Sequence, residues 1–311
     1  MGLANLLSMS YVTQNWSFDP VAILMIITVV AHEIGLARLA QRSRAASQRR
    51  RRLRSLAFYG GLGALALAIM SPLDYWSGSY FFVHMIDHLL LAFFAPILIV
   101  VGAPWVPLQF CLPVAGRRAL GRFLYLSNAA AGLRALGRAL RSPLFAVGIF
   151  NVVMVLWHVP SVYDFSETHQ LVHIWLMHTS YVVAGILFWL QILPSHPMRP
   201  SQGPVWQAGA ILVTNVVMTI MAMSMSILTS SSWYTVYAHV PGVTMSPFTD
   251  QQIGAAILWV CGDFWALPML YVVIRRAIES DGSVGDLVDR VFRSRHEDLE
   301  ITAVHRSRRG A

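Results

Sequence analysis

The feature that most constrains this chain is a series of apolar stretches, each near the length of a bilayer crossing, separated by segments that hold almost all of its charge. A helix needs about 20 mostly apolar residues to cross the hydrocarbon core. Seven stretches approach this, near residues 21–40, 55–72, 82–101, 143–159, 171–193, 205–228 and 252–274, the fourth being the shortest. The sequence therefore predicts an all-α polytopic membrane protein with a segment over 1–20, a seven-helix membrane domain over 21–275 and a tail over 276–311. Only 12% of residues are charged, roughly half the share in a soluble domain. No Arg precedes Arg38, so the first stretch lacks the basic flank of a signal peptide and is expected to be a retained span.

The placement of charge sets the orientation. All 23 basic residues are arginine. They lie between the first and second stretches (Arg38 to Arg54), the third and fourth (Arg117 to Arg141), the fifth and sixth (Arg199), and from Arg275 onward. The other connections contain none. Basic residues mark the cytoplasmic side, so the amino terminus is expected outside and the carboxyl terminus in the cytoplasm. A six- or eight-span arrangement would divide the arginines between the two sides. The net charge of +8 is thus an orientation signal for a lipid bilayer, with no nucleic-acid partner implied. The basic 102–142 segment reads either as an amphipathic helix on anionic lipid or as a solvated loop that enforces topology. Cys111 and Cys261 stand far apart and read as free thiols. No Gly-rich phosphate loop, G-x-S-x-G or nucleotide fingerprint occurs, and no enzyme is expected.

Candidate site residues come from the histidines. Ionisable groups near or within spans are costly and by default functional. Under this topology His84, His88, His158, His169, His173 and His239 lie at or near the outer ends of spans, with His178 about two turns deeper. His84 and His88 are four apart, on one helix face, beside Asp87. Such a pair reads either as two ligands to one metal, with Asp87 as a third ligand or an orienting partner, or as an interfacial pair bound to water and headgroups. His158 stands in Trp157-His158-Val159-Pro160, with Tyr163, Asp164, His169 and His173 close behind. His173 and His178 are five apart, so an ideal helix points them in different directions, and they can share a site only if the helix is distorted or starts late. In the sixth stretch Met218, Met221 and Met225 form a narrow arc, which reads either as packing or as soft ligands; thioether with imidazole favours Cu(I). Asp250 is a candidate N-cap for the seventh stretch. His32, Glu33 and Asp263 are deeper polar groups expected to pair across helices.

Taken together these motifs resemble the multi-pass CtaG-type cytochrome c oxidase assembly factors of bacteria. The matching residues are Trp16-Ser-Phe-Asp19-Pro20, His84-Met-Ile-Asp-His88, Ala95-Pro96, Gly102-Ala-Pro104, Trp157-His158-Val-Pro160-x-x-Tyr163-Asp164, His178 with Gly185-x-x-Phe188-Trp189, and Asp250-Gln251-Gln252-x-Gly254 with Trp259. The resemblance implies a non-enzymatic protein of the bacterial inner membrane that assists copper delivery to the haem-copper oxidase. It implies cytochrome c oxidase subunits and extracytoplasmic copper chaperones as partners. The family's histidines fall on His84, His88, His158 and His178. This chain departs from the expected pattern at Asp87, where a neutral polar residue is expected, and in the five-residue spacing of His173 and His178. Two other readings stay open at this point, a bis-histidine b-type haem protein and a copper permease.

Overall fold

The computed structural model describes residues 15–17, 20–41 and 45–281. The expected N-terminal segment and tail lie largely outside them. The described residues form twelve α-helices in chain order: α1 Val21–Ala40, α2 Ala45–Met70, α3 Pro72–Ser77, α4 Phe81–Gly102, α5 Trp105–Phe110, α6 Val114–Leu126, α7 Ala131–Leu140, α8 Pro143–Leu156, α9 Pro160–Thr168, α10 Val172–Ile192, α11 Pro204–Ser226 and α12 Pro247–Asp281. Six of them, α1, α2, α4, α10, α11 and α12, are long and apolar enough to cross a membrane. Asn128–Leu140 and Pro143–Leu156 meet at 78° and supply a seventh crossing if counted together. The chain is a helical, multi-pass membrane protein, as the hydropathy pattern predicts.

Two boundaries differ from expectation for physical reasons. The fourth crossing stops at Leu156 instead of 159. Val159 precedes Pro160 and takes the extended conformation that a following proline favours, and Pro160 then opens α9. The second helix begins ten residues before the expected crossing, since α2 takes the arginine run Arg49 to Arg54 into its first turns. The basic 102–142 segment is helical over α5, α6 and α7. Leu120, Phe123, Leu133 and Leu136 are exposed on α6 and α7 beside their arginines, which fits the amphipathic reading.

Exposed Ile23, Ile27, Val30, Leu212, Val216, Ile220, Val260, Phe264 and Leu267 form the apolar outer surface of α1, α11 and α12. Inside, α4 is the central helix, against which α2, α10 and α12 pack. Helices in lipid approach closely where small residues meet. A Cβ on Gly185 of α10 would lie 2.5 Å from the Ala92 carbonyl oxygen and 2.7 Å from Pro96 of α4. A Cβ on Gly254 of α12 would lie 2.6 Å from the Phe81 ring.

One polar clamp joins the helix ends. Asp250 lies in the first turn of α12, yet its carboxylate accepts from the amides of Phe81 at 2.8 Å and Phe82 at 2.9 Å, the opening residues of α4. The sequence marks Asp250 as an N-cap; the structure assigns the cap to a different helix from its own. Next to it, Gln251 Nε2 donates to the Met225 carbonyl at 2.7 Å and its Oε1 accepts from the Trp233 amide at 2.6 Å, tying down the end of α11 and the long connection to α12. Replacing Asp250 by Ala should destabilise the folded protein by about 1–2 kcal/mol, the usual cost of a lost cap. Thermal unfolding in detergent measures this; an unchanged midpoint would show that the clamp carries no stability.

Candidate metal centre

The arginine-poor ends of α4, α8, α10 and the short helix α9 converge on a buried cluster of imidazoles. His84, His88, His158 and His178 are all nearly fully buried. His84 and His88 face each other with their Nε2 atoms 2.7 Å apart. His84 also lies 5.2 Å from the His173 ring, centroid to centroid, and His88 lies 5.7 Å from His158. Four of the expected ligands thus form a chain of rings, and His178 extends it: its ring centroid is 4.4 Å from that of His173.

That last contact depends on backbone distortion. Val172–His178 is a π-helix, whose wider i→i+5 turn brings residues five apart back toward one side. The five-residue spacing that would separate His173 from His178 on an α-helix is the spacing a π-turn unites. A second π-segment, Leu90–Phe94, follows His88 in α4. It contains Ala92, whose carbonyl faces Gly185. Both distortions therefore occur on the two helices that supply most of the histidines.

The structure adds residues that sequence reading missed. Glu167 of α9 lies with its Oε1 2.7 Å from His173 Nδ1 and 3.7 Å from His84 Nδ1. His84, Glu167 and His173 have potential ligand atoms within 4.8 Å of one another. Glu167 sits two residues before His169, and its signal is only that proximity. Met85 is the second addition. His158 Nδ1 donates to the Met154 carbonyl at 2.6 Å, which fixes the tautomer and leaves Nε2 as a lone pair. That Nε2 lies 3.4 Å from Met85 Sδ. Neither atom can donate a proton to the other, so two soft or borderline electron-pair donors face each other in a buried position.

The donor set passes a simple fit test. The Nδ1 atoms of His84, His88 and His178 are buried without a hydrogen-bond partner. Such an atom costs about 1–3 kcal/mol of lost solvation. Imidazole nitrogens and a thioether together suit a soft cation. The other expected residues are placed less directly. Asp87 is buried with Oδ1 unpartnered, and among the described residues no hydrogen bond joins it to an imidazole. Met225 touches the cluster through Tyr234, whose hydroxyl donates to the His158 carbonyl at 3.1 Å and lies 3.3 Å from Met225 Sδ. Met218 packs by Gly262 of α12 and Met221 is buried in the core; among the described residues no hydrogen bond joins either to the histidines. His169 turns away to bond the Phe165 carbonyl at 2.8 Å and stack on its ring.

The cluster is covered by the connection between α11 and α12. Tyr163 and Tyr237 share a 2.7 Å hydroxyl contact, and Tyr237 donates to the Ser77 carbonyl at 2.9 Å. Burial, with Tyr237 and Glu167 beside it, pushes the Tyr163 hydroxyl well above the usual phenol range. Asp164 accepts from the Thr235 amide at 3.1 Å and its hydroxyl at 2.6 Å. The Trp157–Asp164 motif therefore places His158 and fastens its cover in one stretch of chain. On the other side lies a layer of rings: Phe93 contacts Phe150 at 5.3 Å and Trp265 at 4.9 Å, and Phe150 stacks on Phe188 at 4.7 Å.

The sequence profile of the cytochrome c oxidase caa3 assembly factors (Caa3_CtaG) matches residues 30–280, which contain this entire constellation. The chain belongs to that family. It is also 23% identical over 293 residues to uncharacterized protein Mb0105 of Mycobacterium bovis and, to the same extent, to uncharacterized protein MT0111 of Mycobacterium tuberculosis. These alignments cover 93% of this chain and 43% of each relative, so the chain spans less than half the length of the curated relatives it matches. No solved structure matches it.

The Glu167 contact is open to a direct check. His173 is 13% exposed and Glu167 10%, so a small reagent can reach the pair. Glu167→Ala should raise the rate at which diethyl pyrocarbonate modifies His173 several-fold, read by peptide mass spectrometry. An unchanged rate would mean that the carboxylate does not hold the ring.

Proposed function

We propose that this member of the assembly-factor family is non-catalytic and carries Cu(I) as cargo at the arginine-poor face of a bacterial inner membrane. It receives the ion from extracytoplasmic copper chaperones and passes it to cytochrome c oxidase subunits. The observation that carries this reading is the pairing of His158 Nε2 with Met85 Sδ at 3.4 Å, beside His88. A nitrogen lone pair facing a thioether is a poor hydrogen bond and a good start for a Cu(I) site. His84, His173, His178 and Glu167 supply further donors along the same chain of rings. The 2.7 Å contact between His84 and His88 is worth only about 1 kcal/mol, so either ring can be released to a metal at little cost. A carrier that must hand its metal on is served by several exchangeable donors rather than one closed cage.

The orientation supports the same reading. Positive residues mark the cytoplasmic side, which puts the cluster at the outer face. The layer of Phe93, Phe150, Phe188 and Trp265 lies deeper and offers no metal ligand. That favours exchange at one face over permeation. A bis-histidine haem, which takes two histidines from facing helices, is disfavoured because His84 and His173 lie 5.2 Å and His88 and His158 5.7 Å apart between ring centroids, and Tyr163 and Tyr181 pack on His84 and His88 at 5.0 and 4.4 Å, filling the space a macrocycle would need.

The purified protein should compete with a chelator for Cu(I). Met85→Leu, which conserves volume, and His158→Ala should each weaken binding by about tenfold, or ~1.4 kcal/mol. Met218→Leu with Met221→Leu should leave it unchanged. Protein that leaves all Cu(I) with the chelator refutes the copper reading. In cells, deletion should lower the copper content of the oxidase while its haem is retained.

A further inference from the structure

A second concave, polar site lies at the opposite, arginine-rich end. It is a cavity of about 320 Å³ between α1, α2, the end of α4 and α5. Arg50, Arg51 and Arg54 of α2 line it, with His32 of α1 and His196 of the connection after α10. No carboxylate is among its lining residues. Topology alone requires arginines at this end of the molecule. It does not require three of them to share one concavity, where like charges repel.

The charge selection follows helix phase. Arg49 and Arg52 belong to the same run but do not line the cavity. Arg50, Arg51 and Arg54 fall within one arc of α2. Their excess charge is felt by His196: partial burial pushes its imidazole down, and Arg54, Arg51, Arg199 and Arg50 add to the shift. The segment before His196 is pinned by Ser195, whose hydroxyl donates to the Val100 carbonyl at 2.5 Å and accepts from the Trp105 indole at 2.7 Å. The floor is His32, only 1% exposed. Its Nδ1 meets the Tyr59 hydroxyl at 2.8 Å, and Tyr59 in turn donates to Glu33. With its one proton committed to Glu33, Tyr59 accepts from His32, so His32 serves the cavity as a fixed wall and brings no charge of its own.

Guanidinium groups recognise phosphate through paired, charge-assisted hydrogen bonds. We propose that this cavity binds a phosphate group, presented either by free inorganic phosphate or by the headgroup of an anionic phospholipid. The site is independent of the metal centre, from which the aromatic layer separates it.

The test uses the full chain in neutral detergent and in zwitterionic nanodiscs. Inorganic phosphate is titrated by calorimetry, and phosphatidylglycerol is followed by native mass spectrometry. Wild type should bind one of these probes, and R50Q/R54Q should bind it at least tenfold more weakly. R49Q/R52Q removes the same charge from the same run and should behave as wild type. If R50Q/R54Q does not fold, the single variant R54Q makes the same comparison. Binding of lipid but not free phosphate assigns the headgroup, and the reverse assigns the free ion. Failure to bind either probe, or equal loss in both double variants, overturns the proposal.

Discussion

The Asp250 carboxylate and the first two amides of α4 hold the position on which the histidine cluster depends. In a membrane interior every backbone donor must find a partner within the protein, and the start of α4 finds its partner on α12. His84 and His88 follow within two turns of that clamp, so their depth is set by a contact from a helix more than 160 residues away in sequence. Gly254, four residues after Asp250, lets α12 lie against Phe81 and Met85. The Asp-Gln-Gln-x-Gly motif is in this sense a joint. It contributes none of the clustered histidines, but it fixes the helix that carries two of them.

Around this joint the polar groups are arranged by depth. The histidine cluster and its tyrosine cover occupy one end, and the arginines occupy the other. Between them the core is aromatic. The three deep polar groups that the sequence marks for pairing are paired across helices, as expected: Tyr59 links His32 and Glu33, and Asn215 donates to Asp263 at 2.9 Å. These contacts satisfy isolated groups locally and do not connect the two ends into a continuous polar path.

Much of this was legible in the sequence because lipid imposes a simple code. Apolar length gave the crossings, and arginine placement distinguished the two ends. Spacing of four brought His84 and His88 together correctly. What the sequence could not show is the π-turn at Val172–His178, since local hydrophobicity does not distinguish a π-turn from an α-turn. Glu167 was missed because its partner His84 lies in a different helix, and Met85 because a Met among apolar residues looks like packing. Asp250 was recognised as a cap but matched with the wrong helix. Capping is read from neighbours in sequence, whereas this cap acts on a neighbour in space.

The shortness of α8 has a consequence for the surroundings of the site. Its 14 residues span about 21 Å at the α-helical rise, against about 30 Å of hydrocarbon. Alone it is too short, and only with Asn128–Leu140, which it meets at 78°, does it reach the length of a crossing. The bend falls at Arg141 and Ser142, at the arginine-rich end, so the shortfall is made up there, and the opposite end is free to stop at Leu156 and lead His158 into the histidine cluster.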